Sequence, residues 1–342
     1  MSGPDFAPAL CDRPSQYVMK IQIVTPAPPE STKGNRITAE RWARILRHLG
    51  HRVSIAQRYD LEPTNLLIAL HARRSHSSIR RFRQSHPETP IVLTLTGTDV
   101  YRDIHEDVRA QESLVLADRI VVLQPLALRQ LTTTQRKKAV VIYQSVEPLP
   151  AFKKTRSTKA SDNHFDICVI GHLRNVKDPF RAALASRLLP PSSQIRIIHV
   201  GGAMSKQIER RARAEMQSNR RYLWRGEMSR KRALGLLAGS KACVISSLIE
   251  GGANVLSEAI VAGVPVLASR IEGNVGILGE NYPGLFSVGG THELMQLMLD
   301  TETDREFLRK LQQRVSKSAR LFDPERERVA WSRLLLKLPK RA

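Results

Sequence analysis

Apolar residues along this chain of 342 residues gather in short runs, and the stretches between the runs carry helical spacing. Runs at 20–25, 65–70, 91–96, 119–123 and 140–143 read as strands, and the turn Gly50-His51-Arg52-Val53 leads into one more. Consecutive Val, Ile and Leu suit parallel strands covered on both faces. A Pro- and Gly-containing loop over residues 26–36 joins the first strand to a helix ending at Leu49. On that helix Ile37, Ile45, Leu46 and Leu49, with Trp42 nearby, form an apolar stripe. The pattern resumes with strands at 165–170 and 195–200, a strand and turn at 222–228, and strands at 242–245 and 264–268. Repeated βα units without a GxGxxG predict an α/β protein and disfavour a nicotinamide-binding Rossmann enzyme.

The chain is long enough for two domains with proper cores. Residues 1–17 hold three Pro and no periodicity, and are expected to be a disordered lead-in; they lack the apolar core of a signal peptide. Residues 18–150 form one expected domain and residues 164–320 the other. Between them residues 151–163, rich in Lys, Ser and Thr, are expected to be a linker. Residues 321–342 should supply a last helix and a basic tail returning to the first domain.

Candidate chemistry concentrates in Glu250-Gly251-Gly252-Ala253-Asn254-Val255-Leu256-Ser257-Glu258, between the strands at 242–245 and 264–268. A glycine pair opening a helix at the carboxyl end of a parallel strand leaves backbone N–H groups facing a crevice beside the positive end of a helix dipole. Phosphate suits that position. Carboxylates repel phosphate but accept hydrogen bonds from hydroxyls, so two Glu bracketing the amides fit a diphosphate flanked by polyols, as in a nucleotide sugar. A plain βαβ unit with two solvated Glu is the alternative.

The segment resembles the donor site of GT-B glycosyltransferases with an E-x7-E pattern. That resemblance implies two Rossmann-like α/β domains facing each other across a cleft. It implies that Glu250 approaches the transferred sugar, that Glu258 binds the nucleotide ribose, and that Gly251, Gly252, Ala253, Asn254 and Val255 hold the donor phosphates. After the strand at 165–170 comes Gly171-His172-Leu173-Arg174-Asn175-Val176-Lys177, where the family has Gly-Arg-Leu and then Lys. Lys177 falls on the family Lys, His172 replaces the family Arg, and Arg174 is the nearest substitute for it as a diphosphate clamp. In this family the loop at Gly34 covers the donor from the opposite lobe. Trp224 and Met228 lie where the base is held, and ordinary packing is the leading reading for both.

A net charge of +22, from 54 basic and 32 acidic residues, calls for an anionic partner or a tolerance for nonspecific binding. Nucleic acid is not expected: zinc-finger spacing and an RRM signature are missing, and 17 aromatics are few for stacking. A membrane surface is a lesser alternative, through the basic segment 73–83 with Ile79 and Phe82 on one side. No run approaches the roughly 18 apolar residues of a membrane span. Cys11, Cys168 and Cys243 are too few and scattered for a disulfide framework or a metal site. Cytoplasm is the expected compartment. No cofactor is expected, and no metal, since no DxD pair is placed for one.

A closer resemblance covers residues 20 to 300. The strings Ile23-Val-Thr-Pro-Ala-Pro-Pro29, Gly34-Asn35-Arg36, Ala69-Leu-His71-Ala-Arg73-Arg74-Ser75, Thr96-Gly97-Thr98-Asp99-Val-Tyr101-Arg102-Asp103, Tyr143-Gln144-Ser145 and Gly171-His172-Leu173-Arg174 are similar to those of the selenosugar synthases of selenoneine biosynthesis, as is Glu250-Gly-Gly-Ala-Asn254-Val255. The subgroup shares His172. The resemblance implies transfer of N-acetylglucosamine from its UDP form to selenophosphate, with the selenosugar passing to a later enzyme. Asn35, Arg36, His71, Arg73, Arg74, Thr98 and Arg102 become candidate acceptor-binding residues. Selenophosphate is already anionic and its selenium nucleophilic, so no base is demanded. His71 and His105 could act as bases for a hydroxyl acceptor, although a neutral packing or capping His is the leading reading. A lipid or saccharide hydroxyl at a membrane surface is the alternative acceptor.

Overall fold

The computed structural model describes residues 18–30, 34–147 and 164–339. The expected lead-in at 1–17 and linker at 151–163 lie outside them. Strands β1 (Lys20–Val24), β2 (Arg52–Ala56), β3 (Leu66–Leu70), β4 (Ile91–Leu95), β5 (Arg119–Val122) and β6 (Ala139–Val141) form one parallel sheet, in the order β2-β1-β3-β4-β5-β6. Strands β7 (Phe165–Ile170), β8 (Ile195–Val200), β9 (Tyr222–Trp224), β10 (Ala242–Ile245), β11 (Val266–Ser269) and β12 (Leu285–Phe286) form a second, in the order β12-β11-β10-β7-β8-β9. The two-residue β12 escapes sequence reading because it is too short to make an apolar run. β11 starts later than the expected 264, for two local reasons. The Val264 N–H closes the preceding helix onto Ala259 O at 2.9 Å, and Pro265 has no N–H for a ladder.

Alternate residues of the first sheet feed its two faces. Leu67, Ala69, Leu93, Ile120 and Val122 meet one layer of helices, while Ile21, Ile23, Leu66, Ile68, Leu70 and Val121 meet the other. Helix α1 (Gly34–His48) covers the second face with Ala39, Trp42, Ala43 and Leu46. Ile37, Ile45 and Leu49 are only half-buried flanks of this stripe, which is centred on Trp42 rather than on them. Helix α2 (His76–Ser85) overturns the idea of an interfacial segment. Its Ile79 and Phe82 are both fully buried against the first face, so they have no apolar side to offer a membrane. Among the described residues no helix is long and apolar enough to cross a membrane.

In the second lobe, α3 (Asn254–Val261) follows β10 and α4 (Glu272–Leu278) follows β11. The last long helix, α5 (Pro324–Leu336), packs on α1: Trp331 meets Trp42 edge-on with ring centroids 4.8 Å apart. Glu327 of α5, 3% exposed, accepts from Trp42 Nε1 at 2.7 Å and from Ser145 N at 2.8 Å. The string 143–145 thus ties the first lobe to the end of the chain. Strand order reverses between β1 and β3 in one sheet and between β7 and β10 in the other. Open parallel sheets take ligands outside the carboxyl ends of strands at such reversals.

Candidate active site

The loops leaving β7 and β10, on either side of the reversal, carry Arg174, Lys177 and Glu250. After β7 the chain makes a short 3-10 turn over Asn175–Lys177, stopped by Asp178 in a left-handed conformation at φ 43°. Ser246, just past β10, holds that turn in place: its Oγ donates to Lys177 O at 3.1 Å and Asp178 O at 2.8 Å. The Leu248 N–H adds a bond to Val176 O at 2.9 Å. Lys177 and Glu250, 73 residues apart, meet as an ion pair, and Glu250 Oε1 also accepts from Ser247 Oγ at 2.9 Å. Arg174 is half-buried, and among the described residues its side chain makes no hydrogen bond or ion pair.

Ala253 precedes α3 without a side-chain cap, and the first turn of α3 holds no acid. The N–H groups of residues 251–255 donate to no acceptor among the described residues. Glu258, in the second turn, is 5% exposed. Its Oε1 forms an ion pair with Arg230 Nη2 at 2.6 Å, out of line for a hydrogen bond, and among the described residues no group donates a hydrogen bond to it, which leaves a lone pair unfilled.

Glycine has a second reason to occupy 251 and 252. A Cβ on Gly251 would stand 2.6 Å from the Thr96 carbonyl, and one on Gly252 would stand 2.9 Å from Leu123 Cβ. Backbone of the opposite lobe therefore abuts the loop directly. Gly34, the first residue of α1, faces Asn254 Nδ2 across the same gap. Beside it Arg41 Nη2 donates to Asn254 Oδ1 at 2.8 Å, and Gln130 Nε2 donates to Glu272 Oε2 at 2.8 Å. Burial pushes the Arg41 guanidinium below its ordinary pKa, against the attraction of Glu327 and Glu258. It stays cationic all the same. Sequence reading missed Arg41 because it sits among the apolar positions of α1, in no motif.

Similarity to known proteins agrees with this arrangement. The family model described as glycosyl transferases group 1 matches residues 151–322, half of the chain. The chain belongs to that family. No match is found among curated proteins. Among solved structures, HepE of Anabaena in complex with UDP and glucose is similar over 94% of this chain and 100% of its own, at 16% identity and a TM-score of 0.73. Sucrose-phosphate synthase from Thermosynechococcus elongatus covers 93% of this chain and 98% of its own, at 16% identity and a TM-score of 0.76. At these identities the likeness establishes the two-lobed GT-B fold. With the family match, it makes the chain a glycosyltransferase.

Other sequence candidates of this glycosyltransferase fall into place differently. His172 Nδ1 accepts from Gly202 N at 3.2 Å, so the ring braces the loop after β8. Trp224 packs, with Nε1 donating to Gly201 O at 2.8 Å. In the first lobe, β3 is followed by His71, held at a left-handed φ of 78°. Its Nδ1 faces the Arg74 N–H at 3.4 Å, and its Nε2 is 3.3 Å from Thr98 Oγ1. Burial lowers the His71 pKa, opposed by Asp99. A neutral ring with both nitrogens occupied is not arranged as a free base.

Asp99 caps the turns around His71, accepting from Ala72 N at 3.0 Å and Gly97 N at 2.8 Å. Asp103 takes Arg73 Nε at 2.9 Å and Arg102 Nε at 3.3 Å. Arg36 pairs with Glu40 at 2.7 Å. Arg74 is exposed and, among the described residues, its side chain makes no ion pair. His105 is exposed, with Nε2 3.1 Å from Gln130 Oε1, and Asn35 is half-buried at the start of α1. Among the described residues no group of three His, Cys, Asp or Glu is placed to hold a metal ion. Of two surface cavities, one is lined by Arg36, Glu40, Arg44 and Arg47 along α1; the other, lined by Lys20, Arg52, Thr64 and Asn65, is at the amino ends of strands, where this sheet type does not seat substrates.

Proposed function

We propose that this glycosyltransferase moves a sugar, N-acetylglucosamine by preference, from a UDP-sugar to selenophosphate. The selenium lone pair attacks the anomeric carbon, a C–Se bond forms, and the C–O bond to UDP breaks with its electron pair leaving on the diphosphate. Water then cleaves the Se–P bond, its oxygen leaving with phosphate and a proton remaining for the selenium, which yields the selenosugar. The observation that carries the donor half is the uncapped start of α3 beside Glu258, whose buried oxygen has an unfilled lone pair. Amides and dipole take the diphosphate and Glu258 takes the ribose hydroxyls. HepE, a structural neighbour, has been crystallised with UDP and with UDP-glucose, which supports a uridine donor.

Lys177 and Glu250 form an ion pair with each other. On donor binding Lys177 turns to the departing diphosphate and Glu250 to the sugar. For the acceptor, the closer sequence resemblance and the engaged nitrogens of His71 favour a nucleophile that needs no base. One observation favours a saccharide hydroxyl instead: Arg36, Arg73 and Arg102 already pair with carboxylates, leaving less charge for a selenophosphate anion. Mass spectrometry of a reaction with UDP-N-acetylglucosamine and selenophosphate decides between them. A selenium-containing sugar product is expected, and UDP release only with a hydroxyl acceptor would overturn the selenium reading.

A further inference from the structure

Arg41 is a charged side chain, 8% exposed, in the seam between the lobes, and its Nη1 is buried with no hydrogen-bond partner among the described residues. No carboxylate lies within ion-pair distance of it among the described residues. Glu327 and Glu258 attract this cation only from beyond ion-pair distance, and its burial, which lowers the guanidinium pKa, outweighs them. Such a group persists where something outside the empty protein completes it. Three neighbouring features say what that is. Nη2 of the same guanidinium is bonded to Asn254, the first residue of α3. The amides of residues 251–255 have no acceptor there. Gly34, at the positive end of α1, faces the same Asn254. A cation, free amides and two helix amino-termini converge, and neither helix has an acid in its first turn. The missing partner is an anion.

We infer that Arg41 is a donor-binding residue supplied by the amino-terminal lobe, its Nη1 reaching the diphosphate held at the start of α3. The inference rests on the donor reading given above and extends it. Donor affinity then depends on both lobes, since the guanidinium reaches the phosphates only while α1 and α3 face each other. Asn254 has a defined share in this: by holding Nη2 it fixes the fork so that the other nitrogen points to the anion.

Calorimetry of the full chain with UDP and with uridine tests this, on wild type, Arg41→Met and Arg41→Lys, together with melting curves of the unliganded proteins. The wild type should bind UDP far more tightly than uridine, and inorganic pyrophosphate should raise its Tm. Arg41→Met should shrink the UDP-to-uridine affinity ratio at least about tenfold, in line with losing a hydrogen bond to a charged group. It should also raise the Tm of the empty protein, because a costly buried charge is gone. Arg41→Lys should recover part of the ratio. An unchanged ratio with a lowered Tm would make Arg41 a brace between the lobes and overturn the inference alone. Equal affinity of wild type for UDP and uridine would instead overturn the donor reading itself. Should Arg41→Met fail to fold, Arg41→Lys and pyrophosphate protection of the wild type still decide.

Discussion

At the ends of β7 and β10 the carboxyl-terminal lobe offers the cleft amides without acceptors, a half-buried Arg174 and a carboxylate with an unfilled lone pair. At the ends of β3 and β4 the amino-terminal lobe offers the reverse. There Arg73 and Arg102 share Asp103, Asp99 is consumed by backbone amides, and His71 is engaged on both ring nitrogens. Unfilled polar capacity marks a surface that waits for a ligand, because buried groups are otherwise satisfied. A self-satisfied network marks one that shapes the cleft. On the proposed reading the two lobes divide the work: the second, where Lys177–Glu250 and Arg230–Glu258 are its ion pairs, binds the donor, and the first, apart from Arg41 and Arg74, positions.

The strongest way to break that contrast is at Lys177 and Glu250. Removing a charged contact to the developing charge should lower kcat about a hundred- to a thousandfold for Lys177→Ala, and comparably for Glu250→Gln. Because the two side chains pair with each other, the double variant should cost much less than the product of the single losses. Glu250→Gln should leave UDP affinity intact, since it frees Lys177 for the diphosphate. Calorimetry showing UDP affinity falling as sharply as turnover would make Glu250 a nucleotide or structural residue.

A buried histidine in each lobe sharpens the comparison. His199 is 1% exposed, with Nδ1 2.9 Å from Tyr222 Oη and Nε2 3.2 Å from Gly171 O, and burial brings its pKa down to about 4. An unfolded histidine titrates near 6.5, so between those values the unfolded chain binds the extra proton. The contribution of His199 is therefore fully present above about pH 6.5 and is lost as pH falls through about 4, by up to about 3 kcal/mol. Denaturant melts of wild type and His199→Gln at pH 7 and pH 4.5 should show a smaller acid loss in the variant. Equal losses would place the acid sensitivity elsewhere, with His71 next in line because burial lowers its pKa too.

Glu258→Ala should weaken UDP by about 1 to 3 kcal/mol, the range for hydrogen bonds to a charged group. Arg230→Gln should change UDP affinity little, because its contact leaves the Glu258 lone pair unfilled. Unchanged UDP affinity in Glu258→Ala would remove the ribose role.

That the residues of the proposed donor site would share one crevice was legible because they are local. Glu250, the glycines and Glu258 lie in one βα unit, and Lys177 follows the strand beside it, so spacing alone carries them to the same crevice. What stayed hidden arises from pairing across the fold. Nothing in the string 71–75 shows that Arg73 will be neutralised by Asp103, 30 residues on. Nor does the pattern of α1 show that Arg41 will turn inward beside Trp42 rather than outward with Arg44. Ile79 and Phe82 have the spacing of an interfacial helix, yet the same spacing serves a helix laid on a sheet, and only the sheet decides.

The smallest effects are expected in the acceptor lobe, and they separate the two acceptor chemistries. If selenophosphate is held by arginines, replacing Arg73 and Arg74 together should raise its KM much more than that of the UDP-sugar, which is proposed to be held by the other lobe with Arg41. The pairing seen here apportions that effect. Arg73→Ala removes a charge already offset by Asp103 and leaves that buried carboxylate with less support, so its cost should appear as lowered stability. Arg74→Ala removes an exposed cation with no ion pair, so it should carry most of the KM change, a few-fold at physiological salt and less at high salt. Inorganic phosphate should compete with the acceptor, and the pH profile should lack the loss of activity on the acid side that a His71 base would impose. Steady-state kinetics in which Arg74→Ala and the double variant keep the wild-type KM for selenophosphate would remove the arginines from acceptor binding and turn attention to a neutral hydroxyl.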